Sequence, residues 1–158
     1  MNRWLWVVIS GGCLGLTACV PWTTFQVHGL TPVHPEVSGW RVATVESVTP
    51  TFRWEAPAAE PDVRYDLIIY ESLGHSWSML MMLGKEVYYR EGLTKPEHQV
   101  EEPLRPSTAY YWSVRVRRGG QLSDWSRYDY TNWFFPLFVP VAEKWEWPFF
   151  RFMTPKNP

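Results

Sequence analysis

From residue 42 onward the chain alternates apolar and polar positions in short runs separated by turn residues. Thr51-Phe52-Arg53-Trp54 alternates polar with aromatic and stops before Pro57. Residues 64–70, Arg-Tyr-Asp-Leu-Ile-Ile-Tyr, are β-branched and aromatic almost throughout. Residues 85–90 make another run between Gly84 and Gly92, and Gln99-Val100 marks a further one. In the clearest case Tyr110, Trp112, Val114 and Val116 alternate with Tyr111, Ser113, Arg115 and Arg117, which predicts one apolar face and one largely wet face. Period-two runs at this spacing predict an all-β sandwich or barrel. No segment before Gly119 carries a helical period.

The N-terminal segment follows a different pattern. Behind Arg3, residues 4–16 are uncharged and mostly apolar, a stretch too short to span a bilayer. It ends in Leu16-Thr17-Ala18-Cys19, which resembles the lipobox of bacterial lipoproteins. The resemblance implies a signal peptide at 1–18, removal of that peptide, and acylation (palmitate among the chains) of Cys19. Cys13 follows Ser10-Gly11-Gly12, which lacks the apolar residue expected three positions earlier. Val20, where Gram-negative lipoproteins retained at the inner membrane carry Asp, implies the outer membrane by the same resemblance. Residues 19–41, rich in Pro, Thr, Val and Gly, read as a lipidated N-terminus and tether, able to reach about 60–70 Å when extended.

Composition sharpens this picture. Aromatic residues make up 17% of the 158 residues, with 11 tryptophans, and such residues favour strands and sheet faces. Fourteen prolines and ten glycines suit many turns. A formal net charge of −1 provides no bulk field for nucleic acid. Both cysteines precede residue 20, which excludes a disulfide framework or cysteine zinc site in the body of the chain.

Leu104-x-Pro106-x-Thr108-x-Tyr110-x-Trp112-x-Val114-x-Val116 resembles the corner and F strand of fibronectin type III domains. The resemblance implies that Tyr110 closes the corner through its hydroxyl and that the alternating residues enter the core. Pro50-Thr51-Phe52-Arg53-Trp54 is similar to the family's B strand, with Trp54 packed centrally, and 64–70 takes the place of strand C. The implied domain is a seven-stranded immunoglobulin-like sandwich over 42–155, with its last strand at 149–152. A generic immunoglobulin-like sandwich is the structural alternative. Leu122-Ser123-Asp124-Trp125-Ser126 resembles part of the tryptophan–serine box of cytokine-receptor members of that fold, with Leu122 replacing the first Trp. There tryptophans stack on F-strand arginines, and Arg115 and Arg117 have the alternation to meet Trp125.

The largest departure from that family is a long aromatic F–G insertion at 127–147. Trp133, Phe134, Phe135, Leu137 and Phe138 form its apolar block, interrupted by Pro136, and Trp145 and Trp147 follow. Three roles fit: cover for an open edge of the sandwich, a partner-binding surface, or contact with lipid headgroups. Seven strands that each reverse direction would put the F–G loop at the end where the first strand begins, beside the anchor. Residues 73–84 fit either a short helix-like turn under the sandwich or a methionine-rich partner site.

Catalytic chemistry is not apparent. His28, His34, His75 and His98 lack metal-ligand spacing, and Glu101-Glu102 would face opposite sides of a strand. The expectation is a non-catalytic, membrane-anchored lipoprotein with no cofactor beyond its lipid and no metal, acting as a protein-interaction or scaffold module of the cell envelope. Another envelope protein is the expected partner. Glycan or peptidoglycan binding through surface aromatics is the alternative.

Overall fold

The computed structural model describes residues 22–36, 42–56, 62–75, 81–133, 145–147 and 149–156; for 22–28, 128–133 and 145–147 it describes the backbone and its pairing. All regular structure among them is strand: β1 (Trp22–His28), β2 (Pro32–His34), β3 (Ala43–Thr44), β4 (Thr51–Trp54), β5 (Val63–His75), β6 (Met81–Leu93), β7 (Glu97–Gln99), β8 (Ala109–Arg118), β9 (Gln121–Leu122), β10 (Arg127–Trp133), β11 (Trp145–Trp147) and β12 (Phe150–Met153). One sheet runs β2-β4-β7 and a second runs β3-β12-β8-β5-β6, with β9 also paired to β8. A third, β1-β10-β11, shares no strand with either.

The first two sheets pack into a sandwich-like core through the alternating residues of their inner faces. Phe52 and Trp54 from β4 meet Tyr65, Leu67 and Ile69 of β5, Tyr110, Trp112 and Val114 of β8, and Phe150 and Phe152 of β12. The Phe52 ring lies 4.7 Å from Trp112 and 5.2 Å from Phe152, and Trp54 lies edge-on to Tyr65 at 5.4 Å. Tilted and edge-to-face pairs are the geometries that ring quadrupoles favour, so these contacts add to area burial.

The corner expected at Tyr110 is present. Its hydroxyl accepts a hydrogen bond from the Arg105 amide at 3.0 Å, while the ring is buried against Phe152. Buried Thr154 ties the same corner to the end of β12, donating to the Arg105 carbonyl at 2.6 Å and accepting from the Thr108 amide at 3.0 Å. Tyr110→Phe strands the Arg105 amide and is expected to lower stability by about 1–3 kcal/mol. Urea unfolding should show a lower midpoint at unchanged slope.

Four expectations need correction. Within the segment read as a tether from 19 to 41, residues 22–28 and 32–34 are not free chain, since β1 pairs with β10 over seven residues and β2 joins β4. Of residues 73–84, read as a helix-like turn or a partner site, 76–80 lie outside the described residues and the flanks are strand, not turn. β5 continues to His75 and β6 begins at Met81, so the run expected at 85–90 is a 13-residue strand. Register shifts along this ribbon, with Gly74 at φ +101°, let two long strands twist together.

The insertion is also not in the turn after β8. That turn is Gly119-Gly120, at φ +52° and +86°, a two-residue hairpin pairing Arg118 with Gln121. The chain then follows the edge of β8 to Ser126 and leaves as β10. It pairs with β8 again at Phe150, opposite Trp112. The insertion therefore splits the last strand of the sandwich. Finally, the outer face of β8 is not wet near its start, because Tyr111 and Ser113 are both fully buried.

Candidate functional site

The outer face of the β12-β8-β5-β6 sheet carries two side-chain clusters, and the insertion leaves the sandwich beside them. The first begins with Asp66, the one acid in the apolar run of β5, whose side chain is fully buried. Register sets it opposite Arg115, with Arg117 two residues along the same face. Arg115 Nε donates to Asp66 Oδ2 at 3.0 Å, and Arg117 bridges both carboxylate oxygens at 3.0 and 3.1 Å. The Gly92 amide, at φ +71° where glycine is favoured, donates to Oδ1 at 3.1 Å. Burial alone would push the Asp66 carboxyl up. The bonds from Arg117, Gly92 and Arg115, with the Arg117 charge, outweigh it and hold the carboxyl below its usual value.

Arg115 also stacks over Trp125, its guanidinium carbon 4.3 Å from the ring centroid. The expected arginine–tryptophan contact is therefore real for Arg115. Arg117 turns instead to Asp66 and Glu91, the latter at 3.0 Å. Ser123 completes the box, since its hydroxyl accepts from the Val116 amide at 3.0 Å. These contacts use the carboxylate and both arginines to hold β5, β6, β8 and the start of the split strand together. In the neighbouring cluster Ile68, Tyr111 and Phe149 are buried beneath Tyr70, Leu83 and Trp125.

The insertion is rooted at Ser126. Its amide donates to the Val114 carbonyl at 2.9 Å, its carbonyl accepts from the Ser113 hydroxyl at 2.7 Å, and its own hydroxyl accepts from the Leu30 amide at 2.8 Å. Gly29 sits against this knot at φ +90°, where a Cβ would lie 2.8 Å from Ser126 Oγ. Both close approach and backbone conformation demand glycine there. Gly29→Ala is expected to destabilise by about 1–3 kcal/mol, seen as a lower melting temperature. Above the knot β1 runs antiparallel to β10, from His28 opposite Arg127 to Trp22 opposite Trp133, and β11 adds Trp145 and Trp147 beside Tyr130 and Tyr128.

Of the expected site residues, Trp54, Tyr110 and Trp112 are core, and Arg115, Arg117 and Trp125 form the outer-face ladder. Trp133, Trp145 and Trp147 are brought into one small sheet by backbone pairing. Cys19, Phe134, Phe135, Leu137 and Phe138 lie outside the described residues. Asp66, Ser126 and Gly29 were not anticipated. The signal for Asp66 was available, as a lone acid in a β-branched run with arginines two apart on a later strand. Among the described side chains Trp54 and Trp112 are buried and Trp125 lies under Arg115, while Tyr89 of β6 is exposed. A shallow polar depression beside β4 is lined by His34, Glu46, Thr49, Arg53 and Gln99, and no cluster of metal-ligand residues occurs among the described residues. No protein-family model, no curated protein and no solved structure matches the chain.

Proposed function

We propose that this protein is an exported lipoprotein, acylated on Cys19, whose fibronectin-type-III-like sandwich serves as a non-catalytic protein-interaction module of the bacterial envelope. The observation that carries the reading is Leu16-Thr17-Ala18-Cys19 at the end of an uncharged apolar run behind Arg3. Val20 in place of Asp favours the outer membrane. Two observations support the fold assignment. The neighbours β2-β4-β7 and β12-β8-β5-β6 correspond to the A-B-E and G-F-C-C′ sheets of that family. The Tyr110 hydroxyl on the Arg105 amide corresponds to its corner.

An interaction role is consistent with a carboxylate and two arginines committed to internal bonds and with an aromatic insertion whose β10 and β11 pair outside the two sandwich sheets. Affinity recovery from solubilised envelope, using the acyl-free chain from Val20 onward as bait, tests the module. One protein recovered in stoichiometric amount, and absent when residues 133–141 are deleted, is the expected result. Recovery of insoluble glycan instead, unchanged by the deletion, contradicts it. Cys19→Ala is expected to move the protein from the membrane to the soluble fraction, and its retention in membranes would contradict the anchor.

A further inference from the structure

The β1-β10-β11 sheet is two-sided in composition. Directly opposed residues of neighbouring strands share a face, so Phe25, Tyr130 and Trp145 form one cross-strand row and Val27, Tyr128 and Trp147 the next. The other face takes Thr24 with Thr131, Gln26 with Asp129 and Glu146, and His28 with Arg127. Beyond both rows, Trp22 opposite Trp133 ends the ladder. From the Ser126 knot to that pair, seven residues of strand at about 3.4 Å each span about 20 Å. The aromatic rows thus occupy the middle of one face, and the Trp22–Trp133 pair, in register with the polar face, closes the end where the chain enters.

That end is also where the proposed lipid attaches. Only Val20 and Pro21 separate Cys19 from β1. Three residue steps cover at most about 11 Å even when fully extended. The headgroup layer on each side of the hydrocarbon core is about 5–8 Å thick. A cysteine whose acyl chains enter the hydrocarbon thus holds the Trp22–Trp133 pair within roughly one headgroup layer of the membrane surface. Tryptophan and tyrosine are the residues enriched at that boundary.

We propose that the outer end of the β1-β10-β11 sheet, led by Trp22 and Trp133, seats on the lipid headgroup layer, so that the protein is held at two points, by acyl chain and by aromatic strand end. This rests on the reading of Cys19 as the acylated residue. Several acyl chains on one cysteine already make the anchor durable, so what the strand-end contact adds is a fixed orientation. The sandwich then stands about 20 Å from the surface on a paired ladder and not on a long tether.

The test uses the full lipidated protein in vesicles of phosphatidylethanolamine and phosphatidylglycerol. With residues 1–18 removed and Cys19 acylated, an introduced cysteine is the only free thiol. A nitroxide is placed at Asn132→Cys, next to the ladder's end, and at Lys95→Cys in the turn between β6 and β7. Thr24→Cys serves as a second ladder probe should the first disturb pairing. Collision with a water-soluble nickel complex is expected to be several-fold lower at the ladder probes than at position 95, with collision by oxygen correspondingly higher. Equal nickel collision at all positions, in protein that floats with the vesicles, overturns the strand-end contact and leaves the anchor standing. Protein that does not float at all overturns both.

Discussion

Trp112→Ala will remove most of the stability of the sandwich. The indole is fully buried at the centre of the core, 4.7 Å from Phe52 and 5.3 Å from Phe150. Truncating a buried Trp to Ala costs about 3–5 kcal/mol, from lost transfer energy and from the cavity left behind. Domains of this size are stable by about 5–15 kcal/mol, so the variant is expected to be partly unfolded at 37 °C. Trp112→Phe makes a sharper comparison. The Trp112 Nε1 group is buried without a hydrogen-bond partner, so phenylalanine loses some packing but also removes an unsatisfied donor. Its cost should be less than half that of alanine, roughly 1–2 kcal/mol. Urea midpoints at constant slope will rank the two, and equal losses would show that packing around the six-membered ring contributes little.

Asp66→Ala is the second large effect, for an electrostatic reason. The carboxylate is fully buried, while Arg115 and Arg117 remain partly exposed at 18% and 31% of their side-chain area. Removing one partner of a buried pair costs about 3–5 kcal/mol when the other charge is trapped. These arginines can swing toward water, so the low end, about 3 kcal/mol, is expected. Glu91→Ala, which removes only the exposed partner of Arg117, should cost under about 1 kcal/mol.

The pH dependence follows from the direction of the Asp66 shift. Its folded pKa lies below the ordinary value, so its contribution is fully present above about pH 4 and is lost as the pH falls through the folded value. His98, held low by burial and the Arg90 charge, also costs stability on acidification, but from about pH 6.5 downward. The two losses are separable. Asp66→Asn should flatten the stability curve below pH 4 and leave the decline near pH 6 in place, as read by urea midpoints across the range.

The sandwich was legible because its signals are local. Alternation through 110–117 announced β8, and the spacing of Leu104, Pro106 and Tyr110 announced the corner. Arg115 and Trp125 could be matched because the turn between them is a short Gly-Gly hairpin. Long-range pairing was not legible. β1 alternates Phe25 and Val27 with polar residues, yet its partner β10 lies over a hundred residues later, and Pro21 and the glycines nearby suggested free chain. The insertion was assigned to the F–G region because the resemblance put the F strand at 110–116 and the last strand at 149–152, and residues 121–126 carry no alternation. They hold their edge of β8 instead through Ser123 and Ser126 hydrogen bonds. The buried Tyr111 and Ser113 were unexpected because burial of an outer face depends on which later segments return to cover it.

Sequence parity put the insertion beside the anchor through an F–G loop that does not contain it. The pairing of Trp22 with Trp133 brings the start of β1 and the aromatic insertion together by another route. Attachment at Cys19 would then position this sheet as well as retain the protein.

Intact-mass analysis of the protein extracted from bacterial membranes tests the central claim most directly. The account predicts a chain that begins at Cys19 and carries a diacylglyceryl group and acyl lipid on that residue. A chain that keeps residues 1–18, or one that begins elsewhere without lipid, would contradict it.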